Sequence, residues 1–137
     1  MNKIFSHPLW STQALLFARV LMGGFFLLAG IMKFQGGIDA VAGYIASAGF
    51  PASLLLAYLV ALFEIVAGLA IILGKYFKEA SITLAVFVLF ISFPFHGPSM
   101  WETDPTAKMM FMKNMAIVAG LLFMAAHGAG NTWRLKI

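Results

Sequence analysis

Apolar residues run along this chain in blocks of bilayer length instead of alternating with polar ones, and short polar breaks rich in turn residues divide them. The blocks cover about Ala14–Met32, Leu54–Leu73, Ala80–Phe95 and Met109–His127. About 20 apolar residues of helix cross a hydrocarbon layer ~30 Å thick, so each block predicts a membrane-spanning helix, the third a short one beginning within KYFKEAS. Helix follows because lipid offers backbone N–H and C=O groups no partner outside the segment itself. The first block reads as a retained span and not a cleaved signal: it is long, holds Arg19, and lacks a small-residue cleavage site. The breaks differ in kind. GKYFKEAS is a tight helix–helix turn opened by Gly74. QGGIDAVAGYIASAGFPA has an amphipathic centre that predicts a short interfacial helix over Ile38–Ser47, stopped by Gly49 and Pro51. PFHGPSMWETDPTAK is rich in proline and aromatics, and its Trp101 suits the headgroup belt, as Trp10 and Trp133 do at the other face. The expected fold class is an all-α integral membrane protein, a four-helix transmembrane bundle forming a single domain over residues 1–137.

Composition excludes a soluble reading. Of 137 residues 62% are hydrophobic and 10% charged, and the mean hydropathy is +0.95, so too little polar surface exists to cover a water-soluble fold. The expected partner is therefore the lipid bilayer. The chain has no cysteine, which removes disulfides, thiolate catalysis and thiolate-held metals or clusters. A formal charge of +4 does not point to nucleic acid, because the cations are scattered among apolar segments. They sort instead by side. Lys3, Lys75, Lys78, Arg134 and Lys136 fall with the termini, whereas Lys33, Lys108 and Lys113 share the other side with Asp39, Glu102 and Asp104. The positive-inside rule then predicts both termini in the cytoplasm.

One carboxylate, Glu64, sits near the middle of the second block. At helical spacing it shares a stripe with Ala57, Ala61 and Gly68, and small residues on one stripe admit a close neighbour, so Glu64 is expected to face the bundle interior. The first block carries Arg19, Gly23, Phe26, Gly30 and Lys33 on one stripe, the third Ser81, Ala85, Val88, Ser92 and His96, and the fourth Lys113, Ala116, Gly120, Phe123 and His127 with Asn114 beside Lys113. An isolated charge at this depth costs about 2.5–3.5 kcal/mol on insertion scales. Depth along antiparallel spans puts Arg19 roughly one helical turn, ~5 Å, from Glu64, so a buried Arg19–Glu64 ion pair is expected, either as a staple between spans or as a functional carboxylate.

Lys33, His96, Lys113 and Asn114 are expected at the outer ends of their helices, where they could line a polar pocket for a quinone head, an oxyanion or a carboxylate; the alternative is that the lysines snorkel to lipid phosphates. No metal site is expected, since His7, His96 and His127 are far apart and no clustered ligand spacing occurs. A nucleophile–base arrangement is likewise absent, and no catalytic residue is assigned.

The segments ARVLMGGFFLLAGIMKF, GYIASAGFP, LFEIVAGLAIILGKYFKEA and FMKNMAIVAGLLFMAAHGAG occur in an order and spacing that resembles the DoxX family of small four-helix membrane proteins over nearly the whole chain. The matching blocks are an arginine followed by Gly-x-x-Lys in the first span, Gly-x-Pro before the second, Glu-x-x-x-Gly within it, and Lys-Asn opening the fourth. The resemblance lands on Arg19, Lys33, Glu64, His96, Lys113 and Asn114. The ending GAGNTWRLKI departs from it, lacking the acidic residue that many members carry there. The resemblance implies a bacterial or archaeal cytoplasmic (inner) membrane location and a role as a subunit of a redox assembly, linked to quinone or sulfur chemistry. Without a flavin or nucleotide fingerprint, any cofactor would be a lipid quinone or belong to a redox protein partner. Two other readings stand beside it, a small-solute or anion transporter, which four spans would build as a homo-oligomer, and a structural or assembly protein with no ligand.

Overall fold

The computed structural model describes residues 8–131, 133 and 134, with side chains from Thr12 onward. Lys3, His7, Lys136 and the Trp10 side chain lie outside the described residues. The chain runs as α1 (Pro8–Gln35), α2 (Ile38–Ser47), α3 (Ser53–Leu73), α4 (Phe77–His96), a 3₁₀ turn at Pro98–Met100, and α5 (Pro105–His127). Among the described residues there is no strand, and the four long helices are each long and apolar enough to cross a membrane.

The helices begin earlier than hydropathy alone indicates, for local reasons. Pro105 occupies the first turn of α5, where a missing N–H costs nothing, and the Asp104 carboxylate accepts from the Thr106 N–H at 2.9 Å. That cap lets the polar run PTAK join the helix. At the other end of the bundle Gly74 (φ 69°) and Tyr76 (φ 51°) both adopt left-handed backbone, so three residues reverse the chain and α4 starts at Phe77. Apolar blocks mark the part of a helix in lipid, whereas caps mark where the helix ends.

Two hairpin-like pairs make up the bundle. Helix α1 packs along α3, α4 packs along α5, and the pairs join chiefly through α3 and α4. Glycine notches bring α1 and α3 together. A Cβ on Gly23 would stand 2.6 Å from the Gly68 carbonyl oxygen, one on Gly30 2.6 Å from that of Ala61, and one on Gly68 2.6 Å from the Gly23 carbonyl oxygen. Backbone thus meets backbone, the close approach that small residues permit in lipid, where no hydrophobic force drives helices together. Between the pairs, Phe26, Ala67, Ile71, Phe77, Leu84, Val88, Leu121 and Met124 form the main apolar core. A smaller cluster of Ala42, Ile45 and Ala57 seats α2 on α3, and Phe95 stacks between Tyr44 (4.8 Å) and Phe50 (6.1 Å) beside it.

The inward stripes of α1, α3 and α4 are largely those the spacing indicates: Arg19, Phe26, Ala57, Ala61, Glu64, Ser81, Ala85, Val88 and Ser92 are all buried. The stripe expected for α5 is not. Phe123 is 72% exposed, Lys113, Ala116 and His127 are also exposed, and the buried face carries Ala107, Asn114, Val118, Leu121 and Met124. Apolar residues surround α5 on every side, so small-residue alignment has no contrast to work against, and Asn114 and Leu121 turn inward while the neighbouring stripe faces lipid.

Candidate functional site

The notches fix the register of α1 on α3, and the register decides which charges meet. With Gly23 against Gly68 and Gly30 against Ala61, Arg19 lies against Gly74 and Lys33 lies close to Glu64. Glu64 is ten residues from Gly74, about 15 Å along the helix axis, well beyond the single turn expected. The Arg19–Glu64 ion pair is therefore replaced. The Lys33 ammonium donates to Glu64 Oε2 at 2.6 Å, and among the described residues this is the ion pair within 4 Å. It is lopsided in exposure, with the Glu64 side chain 7% exposed and the Lys33 side chain 26%. The carboxylate is sealed among helices and its cation reaches toward the bundle surface from the last turn of α1, where the helix dipole also favours positive charge.

Arg19 does something else. It is fully buried, and donates from Nε to the Ile71 carbonyl (3.3 Å), from Nη1 to Ala129 (3.4 Å) and from Nη2 to Ile72 (2.7 Å) and Trp133 (3.0 Å). The last carbonyls of α3 lack the i+4 amide of a continuing helix and sit at the negative end of its dipole, and of backbone donors that of Ile71 accepts only the capping Gly74 N–H at 3.2 Å. The planar, multi-donor guanidinium of α1 satisfies them and also ties down the segment that follows α5.

A second polar contact joins α4 to α5. The fully buried Ser92 hydroxyl donates back to the Val88 carbonyl (2.6 Å), which commits its proton and leaves its oxygen to accept from the Asn114 amide at 3.0 Å. The remaining expected site residues do not join these. His96 lies at the end of α4, where its carbonyl accepts from the Trp101 indole N–H at 2.9 Å. Lys113 is exposed, with its ammonium 3.3 Å from Met110 Sδ and 6.0 Å from the Phe25 ring centroid. Among the described residues no hydrogen bond links Lys33, His96, Lys113 and Asn114 to one another. Among the described residues no group of three or more potential ligands from His, Cys, Asp and Glu gathers to hold a metal.

Sequence reasoning identified Glu64, Lys33 and Asn114 but missed Ser92 as the partner of Asn114 and Lys33 as the partner of Glu64. A signal for the second existed. Gly23 and Gly30 are seven residues apart, as are Ala61 and Gly68. Matching those two intervals antiparallel gives the observed register.

These features define a multi-pass helical membrane protein whose interior holds one sealed carboxylate neutralised by a lysine at the bundle edge. The DoxX family model matches residues 14–97, and the chain belongs to the DoxX family. It is 35% identical over 115 residues to inner membrane protein YqjF of Escherichia coli K12, covering 84% of each chain. It is 28% identical over 120 residues to inner membrane protein YphA of the same organism, covering 85% of this chain and 84% of the relative. No solved structure matches.

Proposed function

We propose that this DoxX-family protein is an inner-membrane subunit of a redox assembly, and that it presents the Lys33–Glu64 pair to the head of a lipid quinone. The observation that carries the reading is the uneven exposure of the pair, a carboxylate 7% exposed beside a cation 26% exposed. A pair serving only to staple α1 to α3 has no need of an open side. The inner-membrane location is supported by the names of both E. coli relatives.

The residues present suit a quinone head, which has two carbonyl acceptors, no donor and an apolar ring. Lys33 spends one N–H on Glu64 and keeps others for a carbonyl. Phe34, its neighbour in sequence, lies 6.1 Å from Tyr58 ring to ring, and both residues are exposed, 39% and 42%. When bound, the quinone would supply two-electron redox chemistry with an accompanying demand for protons. Lys33 would orient the head through its carbonyl, and Glu64 would hold a proton at a carboxylate shielded from bulk water. Electrons would come from a partner protein, because the chain carries no nucleotide or flavin fingerprint. Transport is less well supported, since the bundle interior holds an apolar core that includes Phe26, Ala67, Ile71, Leu84 and Leu121.

The test is extraction and identification of lipids that co-purify with the protein in mild detergent, for wild type, Lys33→Met and Glu64→Gln. Stoichiometric quinone in the wild type, lost in Lys33→Met while the bundle stays folded, is the expected result. Wild-type protein that carries phospholipid but no quinone, in preparations where partner proteins are retained, would overturn the reading in favour of a purely structural pair.

A further inference from the structure

At the end of the bundle opposite the Lys33–Glu64 pair, the turn between α3 and α4 and the segment after α5 enclose an open basin of about 980 Å³. Three basic side chains line it from three different segments, Lys75 in the turn, Lys78 at the start of α4, and Arg134 beyond α5, and His127 adds an imidazole ring. One carboxylate, Glu79, lines it with them. Among the described residues none of the three cations has a carboxylate within ion-pair distance.

Their convergence is built by glycines with left-handed backbone. Gly74 (φ 69°) would put a Cβ 3.1 Å from Arg134 Cγ, and Gly128 (φ 90°) would put one 3.3 Å from Lys78 Cε. The cationic side chains lie over these glycines, close enough that a Cβ there would require them to shift by a few tenths of an ångström. Lys75 is held near the Tyr76 ring, 5.4 Å from its centroid. Close by, Arg19 donates to the Ile72, Ala129 and Trp133 carbonyls and adds a further positive charge next to Gly74 and the segment that carries Arg134. Like charges gathered on one concave surface repel, and a counter-anion relieves the repulsion.

We propose that this basin binds a phosphate-bearing anion, with Lys75, Lys78 and Arg134 as its ligands and His127 at the rim. Its volume exceeds what a single inorganic anion requires and suits a phosphate with a polar substituent attached. It lies at the end of membrane-spanning helices, where the phosphates of a bilayer also lie. Two sources share that chemistry, an anionic phospholipid headgroup and a soluble phosphate.

Intact protein in mild detergent separates them. Retention of phosphatidylglycerol against phosphatidylcholine is read by native mass spectrometry after exchange from mixed vesicles. Thermal unfolding is followed in parallel with inorganic phosphate, against chloride at the same ionic strength. Each surface cation contributes about fivefold to anionic-lipid binding, so Lys75→Gln with Lys78→Gln is expected to weaken preferential retention roughly 25-fold. Lys108→Gln, at the other end beside Trp101, is expected to leave it unchanged. Arg134→Gln alone, expected to lose about fivefold, keeps the test valid should the double variant fold poorly. Selective retention of phosphatidylglycerol with no response to free phosphate assigns the headgroup, and protection by millimolar phosphate without lipid preference assigns the soluble anion. Equal retention of both lipids with no phosphate protection, or a preference untouched by all three substitutions, would overturn the proposal.

Discussion

Replacing Arg19 by methionine and Glu64 by glutamine, singly and together, tests the register of α1 on α3. In wild type Arg19 donates to four carbonyls, two of them at 2.7 and 3.0 Å and two at 3.3 and 3.4 Å. A hydrogen bond from a charged donor is worth about 1.5–3 kcal/mol. Counting the two short bonds in full and the long ones lightly, and allowing water at the bundle end to recover part of the loss, Arg19→Met should destabilise by about 3–4 kcal/mol. Glu64→Gln keeps an acceptor for Lys33 but removes the charge, and Lys33 is partly exposed, so a loss of about 1–2 kcal/mol is expected. The decisive quantity is the interaction between the two substitutions. Sites roughly 15 Å apart with no shared partner add to within about 0.5 kcal/mol. The Lys33→Met and Glu64→Gln cycle, whose groups are 2.6 Å apart, should couple by more than about 1 kcal/mol. Reversible unfolding in mixed micelles, titrated with a denaturing detergent and followed by far-UV circular dichroism, reads all of these. An Arg19–Glu64 coupling above about 1 kcal/mol would refute the register and restore a direct pair.

Three further outcomes follow from local geometry and can be read in the same unfolding assay. Gly30→Leu should separate α1 from α3 and destabilise severely, because even a Cβ there would meet the Ala61 carbonyl oxygen at 2.6 Å. Gly24→Ala, with nothing within 4 Å, should be neutral or stabilise by up to about 1 kcal/mol through helix propensity; equal damage at both positions would argue against the notch. Ser92→Ala removes the acceptor of the buried Asn114 amide and should cost about 1 kcal/mol, the scale of interhelical hydrogen bonds in membranes, while Ser92→Ala combined with Asn114→Leu should recover much of it. Asp104→Ala removes the α5 cap and should cost about 0.5–2 kcal/mol, with faster amide exchange confined to the first turn of α5.

The sequence alone determined the class, the four long apolar helices and three of their inward faces. The bilayer imposes those through length and the need to satisfy the backbone internally. It also singled out Glu64, because a lone carboxylate among twenty apolar neighbours must find a partner or pay about 2.5–3.5 kcal/mol. Which partner, it left to depth along the spans, and depth measured from apolar run ends misses by about a helical turn, since helix starts after Asp104 and Tyr76 extend helices beyond those runs. Tertiary structure decided the rest. Backbone-to-backbone contact at Gly23, Gly30 and Gly68 sets the register, the register gives Glu64 to Lys33, and it sends Arg19 to the open carbonyls of α3. The face of α5 was settled by what α4 presents to it, Ser92 for Asn114 and Leu84 and Val88 for the apolar core, because a helix apolar on every side carries too little contrast to orient itself. The basin at the Arg19 end likewise exists only in three dimensions, where left-handed glycines gather cations that the chain spreads from Lys75 to Arg134.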